Sequence, residues 1–131
     1  MSPVLNPTKK TTVLVVEDDS SLRDLYRTAL MVAGYVVVAV EDGVDALRRL
    51  ETVQPSLVVL DMALPRLGGR EVQKELRSRP DTDQIPILVV SGTDTRDLHP
   101  REFDRVLRKP ISMDMLLDAV HDCLRRSVAR A

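Results

Sequence analysis

The feature that most restricts this chain is its regular alternation of apolar β-branched runs with amphipathic stretches. Residues 12–16, Thr-Val-Leu-Val-Val, form a continuous apolar run, as expected of a strand buried on both faces. Leu22, Leu25, Tyr26, Ala29 and Leu30 then recur at helical spacing, with Ser20 placed to cap that helix and Gly34 to end it. Residues 35–40 read as a second strand, Asp42 and Gly43 turn the chain, and Val44, Ala46, Leu47 and Leu50 mark a short helix. A third strand follows over 56–60. Gly68 and Gly69 open a helix carrying Val72 and Leu76, which Pro80 helps to stop. Residues 85–90 give a fourth strand and 105–108 a weaker fifth. Ser112 caps a last helix with Met115, Leu116, Ala119, Val120, Cys123 and Leu124 on one face. Arg125 and Arg126 lie near its C-terminal end, where cations complement the helix dipole. Buried strands separated by such helices predict an α/β fold, a doubly wound parallel sheet covered on both sides. Right-handed crossovers bring every strand's C-terminal end to one edge, where ligands bind in open sheets.

Composition narrows what that edge serves. The 131 residues, 44% hydrophobic and 30% charged, suit one globular domain with a real core. A net charge of −1 gives no global attraction for nucleic acid or an anionic membrane. Aromatic residues are too scarce for base stacking. The lone Cys123 excludes an intramolecular disulfide and a multi-cysteine zinc site, and His99 and His121 are too few for a metal site built on nitrogen. No run approaches the ~18 apolar residues of a membrane helix and no signal peptide opens the chain, so a cytoplasmic protein is expected. Residues 1–11 read as a flexible polar tail, 12–127 as the domain and 128–131 as a C-terminal tail.

The polar residues at the strand ends carry the chemistry. Strand one ends in Glu17-Asp18-Asp19, strand three in Asp61, strand four in Ser91 and Gly92, and strand five in Lys109-Pro110; strand two contributes nothing comparable. Crowded carboxylates repel one another, and a hard divalent cation such as Mg²⁺ resolves that repulsion with oxygen ligands and water. A metal beside a free carboxylate and a lysine is equipment for phosphoryl transfer, with the carboxylate as a possible nucleophile. Plainer roles compete. Asp61 can simply close a strand, and Ser91 can satisfy strand-end backbone. Asp19 is better read as a structural residue at the start of the first helix, near its positive dipole end, than as a metal ligand. Gly68-Gly69 is read as turn chemistry, Arg66 as solvent-exposed but able to reach a partner, His99 and His121 as ordinary polar residues, and Cys123 as core.

The motifs VLVVEDD (13–19), EDGVDAL (41–47), LVVLDMALPRLGG (57–69), ILVVSG (87–92) and RKP (108–110) together resemble the receiver domain of two-component response regulators, over Thr12 to about Arg126. The resemblance implies a flavodoxin-like sheet of order 2-1-3-4-5. It implies that Asp61 accepts a phosphoryl group from a sensor histidine kinase or a histidine phosphotransfer protein. It implies Mg²⁺ held by Asp18, Asp61 and the backbone carbonyl of Ala63, with Glu17 acting mainly through water. Ser91 and Lys109 would contact the phosphoryl oxygens, and the Lys109-Pro110 bond would be cis. Ala63 and Thr93 would flank the path of the attacking water and influence the lifetime of the phosphoryl group. Such a domain is not an enzyme in the usual sense, although it has Mg²⁺-dependent self-phosphorylation and dephosphorylation chemistry. Its output is altered binding to a downstream protein, with no nucleic acid or membrane partner expected.

The chain departs from the family's pattern twice. The 92–108 interval is short, and Pro100 prevents a helix from running through it; a fourth helix of one or two turns over 96–104, loosely packed, is expected. Val106 stands where the family usually has Tyr or Phe, so its stiff, short side chain replaces a long lever, for which Phe103 is a candidate substitute. These departures favour one alternative, a phosphorylation-independent interaction scaffold. A small hydrolase is disfavoured because Ala63 occupies the place of a second aspartate, and a dinucleotide binder because no G-x-G-x-x-G follows the first strand.

Overall fold

A computed structural model describes residues 10–92, 96, 98 and 103–130. Nine elements follow in order: β1 (Thr12–Val16), α1 (Ser20–Val32), β2 (Val36–Val40), α2 (Gly43–Arg49), β3 (Leu57–Leu60), α3 (Gly69–Ser78), β4 (Ile87–Ser91), β5 (Arg105–Arg108) and α4 (Met113–Arg130). The strands form one parallel sheet of order β2-β1-β3-β4-β5, the flavodoxin-like order expected from the sequence.

Alternation along the buried strands divides the core into two layers. Val13, Val15, Leu57, Val59, Leu88 and Val90 face α1 and α4, packing against Tyr26, Leu30, Leu116, Ala119, Val120 and Cys123. Leu14, Val16, Val58, Leu60, Ile87 and Val89 face α2 and α3, against Ala46, Leu50, Val72 and Leu76. Each central strand therefore buries both of its faces, which is why its sequence shows no polar alternation.

The helix ends refine the sequence reading. Asp19, not Ser20, caps α1: its side chain accepts from the Leu22 amide at 2.9 Å. Both residue types cap well, and Ser20 is already the first helical residue. Asp42 caps α2 in the same way, accepting from the Asp45 amide, and Ser112 accepts from Met115 at the start of α4. Arg79 is extended (φ −111°, ψ 132°) after α3, as a residue preceding proline tends to be. The last helix continues to Arg130, beyond the expected domain end at 127; residues 125–130 contain no Gly or Pro to stop it. Gly34 follows α1 at φ +103°, a conformation side chains resist, although a Cβ there would meet nothing within 4 Å. Gly34→Ala should therefore act through backbone strain alone and cost about 1–2 kcal/mol, read as a lower denaturant midpoint with an unchanged slope.

The expected short helix over 96–104 falls largely outside the described residues, as do His99, Thr93 and residues 1–9 of the N-terminal tail; of 96, 98, 103 and 104, none is helical. The expectation of loose packing is corrected at Phe103, which is 4% exposed and joins the core layer under α2 and α3. It is the large apolar side chain nearest β5, and its burial removes substantial area from water. Leu98 and Val106 pack against the same layer.

Candidate functional site

Four strand ends meet as the sequence predicts, and backbone bonds fix their spacing. The Glu17 amide donates to the Val40 carbonyl at 3.1 Å, the Asp61 amide to Val16 at 3.1 Å, and the Lys109 amide to Ser91 at 3.0 Å. Glu17, Asp61 and Ser91 are buried there and Asp18 is exposed. The Lys109-Pro110 peptide is cis.

Asp61 is the hub. Its Oδ1 accepts from the Ser91 hydroxyl at 3.1 Å and from the Ala63 amide at 3.1 Å. Its Oδ2 accepts from Lys109 Nζ at 3.1 Å. Lys109 Nζ also lies 2.6 Å from Glu17 Oε1. That contact is a close ion pair between two largely buried groups. The other oxygen of Glu17 accepts from the Asp19 amide. Arg23, one turn into α1, donates to the Glu17 and Asp18 carbonyls at 2.9 and 3.3 Å and ties the β1–α1 loop to the helix.

The electrostatics follow from this crowding. Burial pushes the Glu17 carboxyl above its ordinary range, with nearby Asp61 adding to the rise, while Lys109 and the Asp19 amide pull it down. Burial disfavours the Lys109 ammonium, yet its contacts with Glu17 and Asp61 outweigh that and hold its pKa above the usual lysine value. One carboxylate oxygen from each of Glu17, Asp18 and Asp61 lies within 4.8 Å of the other two. Two buried carboxylates and an exposed one, gathered this closely, suit a small hard dication that keeps several waters.

One expectation is corrected. Strand two does end in something of note: Asp42 is 3% exposed and accepts both Arg66 Nε at 2.8 Å and Arg66 Nη2 at 2.6 Å on Oδ2. Arg66 is half-exposed, as expected, and its reach to a partner is realised in ion pairs with Asp42 and Asp45. The Asp-Gly step before a helix was the available signal for a capping aspartate at 42; nothing local marks a partner 24 residues away. Arg23 was also missed, although its place one turn after the N-cap aims it back at the loop carbonyls. Asp19 is structural, as expected. His121 is exposed and Cys123 buried.

Comparison with known proteins identifies the family and the fold. The family model described as the response regulator receiver domain matches residues 13–121. The response regulator MprA of Mycobacterium ulcerans (strain Agy99) is 37% identical over 119 residues, covering 88% of this chain and 50% of its own length. The chain thus spans about half the length of the curated relatives it matches. A response regulator receiver domain (CheY-like) from Methylobacillus flagellatus superposes with a TM-score of 0.77 at 28% identity, over 88% of this chain and 99% of that one. The receiver domain of the sensor histidine kinase PA1611 from Pseudomonas aeruginosa PAO1 superposes with a TM-score of 0.78 at 24% identity, over 88% and 98%; its structure has a magnesium ion coordinated in the active site cleft. Among the described residues, no helix is long and apolar enough to cross a membrane.

Proposed function

Because the chain belongs to the response regulator receiver domain family, we propose that Asp61 accepts a phosphoryl group from a phosphohistidine of a kinase or phosphotransfer protein and that the modified domain signals through altered protein binding. The observation that carries this reading is the convergence of Ser91, Lys109 and the Ala63 amide on one buried carboxylate. A strand terminator has no need of a hydroxyl and an ammonium brought in from two other strand ends.

The Asp61 carboxylate attacks phosphorus, the bond from phosphorus to the donor's leaving atom breaks, and an aspartyl phosphate forms. Lys109 and the Ser91 hydroxyl exchange their contacts with Asp61 for contacts with the phosphoryl oxygens, where charge spreads in the transition state. Glu17, Asp18, Asp61 and the Ala63 carbonyl are the groups that would hold Mg²⁺. When bound, that ion supplies positive charge against the phosphoryl oxygens and relieves the repulsion among the carboxylates. Hydrolysis by water returns Asp61 to its free form. A scaffold indifferent to phosphate has no use for this set, and partner affinity that responds to beryllofluoride with Mg²⁺ separates the two readings.

The direct test is intact-mass measurement after incubation with a small phosphodonor. One added phosphoryl group is expected with Mg²⁺ and none after chelation with EDTA. Equal modification in both arms, or none in either, overturns the reading.

A further inference from the structure

The loop joining β3 to α3 carries a strained residue fixed by a buried ion. Arg66 has φ +64°, a conformation few side chains favour. The Leu67 amide donates to the Pro65 carbonyl at 2.7 Å, closing a three-residue turn around Arg66, a rare and strained turn at positive φ. Such strain persists only where the surroundings over-determine it, and it clusters at functional sites.

The surroundings here are specific. Asp42 is buried at the N-terminus of α2, with one oxygen taken by the Asp45 amide and the other by two guanidinium nitrogens of Arg66. Asp45 adds a contact at 3.4 Å. Gly43 packs so closely on the Leu67 carbonyl that a Cβ there would overlap it, so the start of α2 is the floor of the loop. Three residues before Arg66 stands Ala63, whose amide holds Asp61 Oδ1.

We propose that Arg66 is a positioning residue: its guanidinium, latched on Asp42, holds the strained turn and thereby sets the Ala63 backbone beside Asp61 in the geometry that Mg²⁺ uptake requires. The proposal rests on the function proposed above and adds to it a control point outside the reacting groups. The latch joins loop 62–68 to α2, an element that contributes no residue to the phosphoryl site.

Calorimetric titration with Mg²⁺ in the absence of phosphodonor tests it, on wild type, Arg66→Ala, Arg66→Gly, Arg66→Lys, Asp42→Asn and the double variant Asp42→Asn/Arg66→Ala. Asn at 42 keeps the helix-capping oxygen and removes the charge. Arg66→Ala and Asp42→Asn should each weaken Mg²⁺ binding roughly ten-fold, the lower end for groups acting on a metal site from outside it. The double variant should be no weaker than either single one, because both break one latch. Phosphoryl uptake at saturating Mg²⁺ should stay within about two-fold of wild type, so that the half-saturation point moves and the maximal rate does not. Arg66→Gly should be at least as heat-stable as Arg66→Ala, since glycine accepts positive φ, yet bind Mg²⁺ as weakly. Arg66→Lys should recover part of the affinity. A folded Arg66→Ala with wild-type Mg²⁺ affinity overturns the proposal, as does a merely lowered melting temperature; should that variant not fold, wild-type affinity in both Asp42→Asn and Arg66→Lys does the same. A wild type that binds Mg²⁺ alongside unaffected variants sinks this inference alone, whereas a wild type that neither binds Mg²⁺ nor gains phosphate sinks the proposed function with it.

Discussion

Asp61→Asn should abolish phosphoryl uptake while leaving the fold in place. The amide has nearly the shape of the carboxylate but neither its charge nor its nucleophilic oxygen. Its carbonyl can still accept from Ser91 and from Ala63, which now meet Oδ1 at 3.1 Å each. Its NH₂ then faces Lys109 Nζ, which meets Oδ2 at 3.1 Å in the native protein, so one donor opposes another. Rotating the amide moves the conflict to the Ser91 side. The stability change should be small, about 1 kcal/mol from one lost hydrogen bond, and partly offset by relief of the repulsion from Glu17 and Asp18. Intact mass after incubation with a small phosphodonor and Mg²⁺ should show one added phosphoryl group in wild type and none in the variant, with matching circular dichroism. Equal modification of both proteins would place the phosphoryl group on some other residue.

Lys109→Ala should be the most destabilising single change within the site. The Lys109 side chain is 19% exposed, while its partners Glu17 and Asp61 are 2% and 6% exposed. Removing the ammonium leaves two buried carboxylates facing each other with no cation, and breaking a buried pair from one side costs about 3 kcal/mol or more. The sign of the pH dependence follows from Glu17. Burial raises its pKa in the folded state, and Lys109 is among the groups that limit the rise. An acid that is weaker when folded loses stability as pH climbs through the window between its unfolded and folded values. Without Lys109 that window widens upward. The gap in stability between wild type and variant should therefore be smallest near about pH 4, where carboxyl groups begin to protonate, and grow towards neutrality. The ammonium itself, with its pKa raised, stays charged across this range. Denaturant melts at several pH values check this, and added Mg²⁺ should stabilise the variant more than wild type by restoring a cation.

Much of this architecture is readable from residue types because the buried strands leave little choice. A run such as Leu57 to Leu60, buried throughout, has no polar position to spare, so its first acid, Asp61, must lie where the strand leaves the core. The same logic brings Glu17, Ser91 and Lys109 to the edge. Other features are settled by three-dimensional fit. Asp19 and Ser20 cap helices about equally well in isolation; the choice falls to Asp19 because Glu17 takes its amide and shapes the loop ahead of it. The Arg66–Asp42 pair joins positions far apart in the chain through a turn that propensity argues against, since arginine rarely adopts positive φ. Strand five begins and closes on an exposed arginine, Arg105 and Arg108, and Leu107 is its one buried residue. Its weak pattern reflects a sheet edge, where one flank has no neighbouring strand among the described residues.

The ladder of backbone bonds does not stop where the strands do. The amides of Glu17, Asp61 and Lys109 each bind a carbonyl on the adjoining strand's end, so the main chain beneath the pocket is pinned whatever its side chains become. Those three N–H groups are natural reporters for deuterium exchange. Their labelling rates measure how often the pocket's floor breathes, separately from what occupies the space above it.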